Sequence, residues 1–211
     1  MKTTDLISLM AADAPVRMRL GRMLTIALFA GIAASAILLL ASVGLRPNMA
    51  SMIETARVLF KILFTLTLAV AASALVFRVG RPGAELGRRG LWLAGLVGVL
   101  LVAVGAELMV LPRGEWVASL KGGHAMFCLF FIPVLSLAPL GGFLMALREG
   151  APDNPGLAGA AAGLAASAIG AALYAWHCPD DSPLFLATWY MLAAAIVTLA
   201  GFLIGRRILR W

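Results

Sequence analysis

The stretch MLTIALFAGIAASAILLLASVGL, residues 23–45, runs for 23 residues without a charged side chain, between Arg22 and Arg46. As an α-helix rising 1.5 Å per residue it is about 35 Å long, enough to cross a hydrocarbon layer roughly 30 Å thick. It is too long for the apolar core of a secretory leader, and no convincing cleavage region follows it, so it is expected to be retained. Five further apolar runs, three of them holding a single charge (Lys61, Glu107 and Arg206), occupy 58–77, 91–111, 124–147, 157–176 and 184–206. The composition agrees: 62% of the residues are hydrophobic and 13% charged, where a soluble domain carries about 25% charged residues. So few charges cannot clothe a water-soluble surface. The sequence predicts an all-α integral membrane bundle of six transmembrane helices. Residues 1–22 form an N-terminal segment, 23–206 the membrane domain and 207–211 a short tail, which leaves no soluble domain for bulky catalysis.

The net charge of +7 is informative through its distribution. With the N-terminus inside, the inner segments hold Lys2, Arg17, Arg19, Arg22, Arg78, Arg81, Arg88, Arg89, Arg148, Arg206, Arg207 and Arg210, and the outer ends hold Arg46, Arg57, Lys61, Arg113 and Lys121. That imbalance, 12 against 5, places both termini in the cytoplasm by the positive-inside rule. Anionic headgroups of the bilayer suffice as partners for these basic loops, and no basic stretch interleaved with aromatics argues for nucleic acid.

The spans differ in character. In the fifth, Gly159, Gly163 and Ser167 recur every fourth residue on one face, a spacing that lets helix backbones approach closely in lipid. The fourth carries Pro133 and Pro139 in its middle, each of which removes a backbone donor and is expected to kink the helix.

Every histidine and cysteine lies on the outer side. His124 and Cys128 are four residues apart at the start of the fourth span, hence on one helix face, and His177 and Cys178 sit in the turn YAWHCPDDSPLFLATWY, residues 174–190. If these elements pack together, two imidazoles and two sulfurs form a soft-metal site. A Cys128–Cys178 disulfide is a second reading, and packing as small apolar residues a third. Ser182 is placed to cap a helix starting at Pro183, with Asp180 and Asp181 at the positive end of its dipole. Lys61 in the second span and Glu107 in the third are at similar depth and are expected to pair. Snorkelling of Arg57 and Lys61, which share a face, to the outer interface is the alternative. At the N-terminus, Leu6, Ile7, Leu9 and Met10 make an apolar stripe on a short helix ended by Asp13-Ala14-Pro15. It must lie on the membrane, on the inner loops or in a partner's groove.

Taken together, MKTTDLISLMAADAPV (1–16), GLRPN (44–48) with Lys61 beyond it, Cys128, YAWHCPDDSPLFLATWY (174–190) and the closing GRRILRW (205–211) resemble the NrsF family of membrane anti-sigma factors. The resemblance covers the whole chain and is most specific at HCPDDSPLFLATWY. It implies a multi-pass protein of the bacterial inner membrane, not an enzyme, with an extracytoplasmic-function sigma factor bound at the cytoplasmic face, chiefly by the N-terminal segment. It further implies that Cys128 and Cys178 sense a heavy metal or an oxidant, with no obligatory cofactor beyond a transient soft metal ion at those sulfurs. A small transporter would want polar residues near the bilayer midplane, which spans one, five and six almost lack. A membrane thiol oxidoreductase would want a paired Cys-x-x-Cys, which the chain does not have.

Overall fold

A computed structural model describes residues 3–12, 19–47, 54–81, 83 and 87–210. Its helices are α1 (Thr3–Ala12), α2 (Leu20–Ser42), α3 (Ala56–Val79), α4 (Gly87–Val110), α5 (Trp116–Lys121), α6 (Ala125–Arg148), α7 (Pro155–Tyr174) and α8 (Pro183–Ile208). No strand occurs among the described residues. Six of these elements are long and apolar enough to cross a membrane, and α5 leads into the fourth of them through a break at Gly122. Each lies within a few residues of an expected run. Gly44, at φ 69°, closes α2 earlier than its apolar run ends; the left-handed conformation strains any residue with a Cβ. Asn154 caps α7 by accepting from the Leu157 amide at 3.0 Å. The short helix α5, unforeseen from the hydropathy, fills the turn between α4 and α6.

The bundle is built around α7, the most buried span, which packs on α8, α3 and α6; α2 lies along α6, and α4 is the most exposed span, beside α3. The composition of α7 explains its place. Its glycines and alanines carry so little side chain that neighbours rest on its backbone. A Cβ added to Gly159 would come within 2.2 Å of the Gly201 carbonyl oxygen, and one on Gly163 within 2.5 Å of the Val197 oxygen. The small-residue face therefore meets α8 of the same chain. Ser167, buried on the same helix, donates back to the Leu164 carbonyl at 2.9 Å.

The fourth span is continuous through both prolines. Pro139 has no amide hydrogen to give the Leu135 carbonyl, one helical turn before it, and an orphaned buried carbonyl is costly. Ser35 of α2 supplies the missing donor: its buried hydroxyl gives a hydrogen bond to the Leu135 oxygen at 2.6 Å. One turn away on the same face, Gly31 leaves room for the proline ring, since a Cβ there would lie 2.6 Å from Pro139 Cα. Gly31 and Ser35 thus form a notch in α2 shaped to the proline of α6.

Candidate functional site

At the end of the bundle away from Leu20 and Ile208, the segment 175–182 joins α7 to α8. It leaves α7 in a tight turn, with the amides of His177 and Cys178 both directed at the Tyr174 carbonyl. From there, every polar side chain fastens it to a different neighbour. Asp180 accepts from the backbone amides of Gly123 (3.2 Å) and His124 (2.9 Å) and from the His124 ring at 3.1 Å. It therefore caps the start of α6, where a helix N-terminus favours negative charge. Asp181 is paired with Arg46 at 2.8 Å and with Lys61. Ser182 accepts from the Leu184 amide at 3.2 Å, capping α8, and donates to Glu107 at 3.3 Å. His177 Nδ1 donates to the Gly44 carbonyl at 3.1 Å.

Lys61 is 1% exposed, and a charge so buried persists only if paired and hydrogen-bonded. Besides Asp181 it donates to the carbonyls of Cys178 (2.7 Å) and Asp180 (3.2 Å). One ammonium thus holds three acceptors of the turn.

Beneath the turn, Cys128 in the first turn of α6 and Cys178 lie in contact, their sulfurs 3.7 Å apart, both wholly buried and both thiols. Aromatic rings enclose them. Tyr174 stacks on Phe131 with centroids 5.8 Å apart, and lies 5.6 Å from His177 and 6.3 Å from Tyr190. Tyr190 belongs to a π-helical turn, Leu186–Tyr190, inside α8; such a turn inserts one residue into the helical ladder and re-aims the side chains on it. The Cys178 thiol is pushed down to about 7: the hydrogen bond from the Cys128 thiol is the largest cause, burial opposes it, and the Lys61 charge adds to the lowering.

Over residues 9–211 the sequence matches the family described as NrsF, negative regulator of sigma F. The chain belongs to the NrsF family. Among relatives, it is 38% identical to the anti-sigma-F factor NrsF of Caulobacter vibrioides, and 30% identical to the probable anti-sigma-F factor NrsF of Azospira oryzae. Each alignment covers 100% of both chains. No solved structure matches the chain.

In this NrsF-family chain the structure brings Cys128 and Cys178 together but corrects two expectations. His124 and His177 do not join the sulfurs, because each ring is engaged in fastening a loop, and no three His, Cys, Asp or Glu side chains are grouped to hold a metal ion among the described residues. Lys61 and Glu107 do not pair: Lys61 faces the turn and takes Asp181, while Glu107 is held by Arg57 at 3.0 Å. Asp180, too, caps α6 rather than α8. Leu6, Ile7 and Leu9 of α1 are exposed; Met10 lies in the same helix, its side chain outside the described residues, as are residues 1, 2 and 13–18 of the N-terminal segment and Trp211 of the tail. Arg46 and Tyr190 had not been singled out as site residues. One signal for the former was present: three cations, Arg46, Arg57 and Lys61, and three anions, Glu107, Asp180 and Asp181, fall at one end of an otherwise apolar bundle. Nothing in the sequence announces the π-helical turn that aims Tyr190.

Proposed function

We propose that this chain is an inner-membrane anti-sigma factor that holds an extracytoplasmic-function sigma factor at the cytoplasmic face and releases it when the outer thiol pair reacts. Both termini are cytoplasmic, following the arginine distribution, and the 175–182 turn faces the periplasm. The exposed Leu6, Ile7 and Leu9, with Met10, dock in the sigma factor's groove. The observation that carries this reading is the meeting of Cys128 and Cys178, 50 residues apart in the chain, in a buried contact under a turn tied to four other elements. An oxidant that joins the sulfurs, or a soft heavy-metal ion acting on them as signal rather than resident cofactor, changes the link between α6 and that turn. The signal reaches the sigma factor by biasing two arrangements of the bundle.

Two measurements test this. A sigma-dependent reporter in strains carrying Cys128→Ser or Cys178→Ser is expected to lose at least 10-fold of its induction by cadmium, chromate or a hydroperoxide, with basal repression kept. An unchanged response would sink the sensor assignment. Co-purification of the sigma factor with the full chain is expected to fall at least 10-fold when Leu6, Ile7 and Leu9 are replaced together by serine. Retained capture would move the interface to the basic loops between spans.

A further inference from the structure

At the end of the bundle away from the cysteines, a cavity of about 480 Å³ opens between the last turns of α6 and α8, lined by Met145, Arg148, Glu149, Ile208, Leu209 and Arg210. Its lining is of two kinds. Met145 and Ile208 are apolar and exposed, as are Leu137 on α6 and Ile204 on α8, while Leu209 is buried in the core. On a membrane span such outward apolar side chains meet lipid tails. The rest of the lining is charged. Arg148, Glu149 and Arg210 are exposed, and none of the three forms an ion pair among the described residues. Both helices end here, and the carbonyl oxygens of a last helical turn carry partial negative charge. The cavity thus offers two guanidiniums, one carboxylate and two helix C-termini above an apolar base.

That mixture of signs narrows the ligand. A simple anion would suit the guanidiniums but be repelled by Glu149 and the helix ends, and a simple cation would meet the reverse. A phosphate carrying an ammonium a few atoms away meets both, and acyl chains attached to it continue down the apolar side. Guanidinium binds phosphate oxygens through paired hydrogen bonds, and basic pockets between spans are established seats for lipid headgroups. The ammonium must carry N–H donors to use the carboxylate and the carbonyls. A quaternary ammonium has none and is held by aromatic faces instead, and no aromatic residue lines this cavity. We propose that the cavity is a headgroup site for a phospholipid whose phosphate diester bears a primary ammonium, as in phosphatidylethanolamine. Arg148 and Arg210 take the phosphate, Glu149 and the helix-end carbonyls take the ammonium, and an acyl chain lies along Met145 and Ile208. The bound lipid ties the last turn of α6 to that of α8. The site rests on the bilayer reading of the chain and is independent of the thiol pair.

The test is native mass spectrometry of the full-length protein, delipidated in detergent and titrated with phosphatidylethanolamine, phosphatidylcholine or phosphatidylglycerol of identical acyl chains. Phosphatidylethanolamine is expected to bind about 10-fold more tightly than either of the others, the worth of one charge-assisted contact. Replacing Arg148 and Arg210 together by glutamine is expected to lower its affinity about 10-fold or more. Glu149→Gln is expected to erase the preference over phosphatidylcholine and to raise phosphatidylglycerol binding. These side chains are exposed, so the thermal unfolding midpoint should not move. The control replaces Arg206 and Arg207, which do not line the cavity, and is expected to leave the preference intact. Equal binding of phosphatidylethanolamine and phosphatidylcholine would show annular lipid only and overturns the proposal. A preference for phosphatidylglycerol, or an equal loss in the control, would show general attraction to basic residues and overturns it too. If the Arg148 and Arg210 variant keeps the lipid but loses sigma-factor co-purification, the cavity docks a protein and the lipid site falls.

Discussion

Gly201→Leu is expected to break the α7–α8 pairing at the centre of the bundle. A Cβ at Gly201 would lie 2.4 Å from the Gly159 carbonyl oxygen and 3.0 Å from Gly163 Cα. Both obstacles are backbone, so neither can rotate away, and the helices themselves must separate. Over-packing a core costs about 1–3 kcal/mol when side chains can yield; here the expected loss is at least about 3 kcal/mol, at the upper end of that range or beyond. Since α7 is the element on which α3, α6 and α8 all pack, the loss spreads to the whole fold. Unfolding in mixed micelles, followed by helical circular dichroism against denaturant, measures it. The control is Gly95→Leu on α4, where an added Cβ meets nothing within 4 Å and stability should not change measurably. Equal stability of the two variants would show that the α7–α8 contact is looser than described.

Lys61→Met is expected to be nearly as damaging, by a different route. Methionine reproduces the four-atom stem of lysine without the ammonium, so the packing of the stem between α3 and the turn is largely kept. What is lost is the ammonium that satisfies the carbonyls of Cys178 and Asp180 and one oxygen of Asp181. Removing one partner of a buried pair costs about 3–5 kcal/mol, because the other charge stays behind without compensation. Arg46 still reaches Asp181, which puts the expectation at the lower end, about 3 kcal/mol. The damage is local, so maleimide labelling of Cys178 should accelerate at least 10-fold in the variant while the inner half of the bundle keeps its amide protection. Unchanged labelling would mean that the turn is held by its other fasteners alone.

These two residues also illustrate what could be read from the sequence. The stripe containing Gly159 and Gly163 is visible as small residues at helical spacing, and the six spans follow from long apolar runs with at most one charge each. Ser182 and Pro183 announced the start of α8. The meeting of Cys128 with Cys178 was anticipated as one arrangement among several, because both had to lie at the same end. Lys61 is legible as an ionic residue near the end of its span, but its partner is Asp181 rather than Glu107. Depth in the bilayer can be counted along a helix, but the direction in which a side chain leaves it depends on how the helices are rotated against each other. Arg57 and Lys61 are one turn apart; Glu107 meets Arg57, and Lys61 turns inward to a loop 120 residues away. The roles of the histidines were misjudged for a related reason. Loop carbonyls and carboxylates compete for an imidazole on equal terms with a metal site, and nothing in a sequence counts them.

The joint between α2 and α6 carries a mechanical consequence. The Leu135 carbonyl, deprived of its own helix's donor by Pro139, is satisfied only while Ser35 stays within reach. Sliding α6 along or away from α2 by even a couple of ångströms would leave that buried oxygen without a donor. The two helices are therefore obliged to travel as one body, and the chain has a rod that runs without slack from the Cys128 end to Leu20. A tug applied at the Cys128 end arrives at Leu20, where α2 begins.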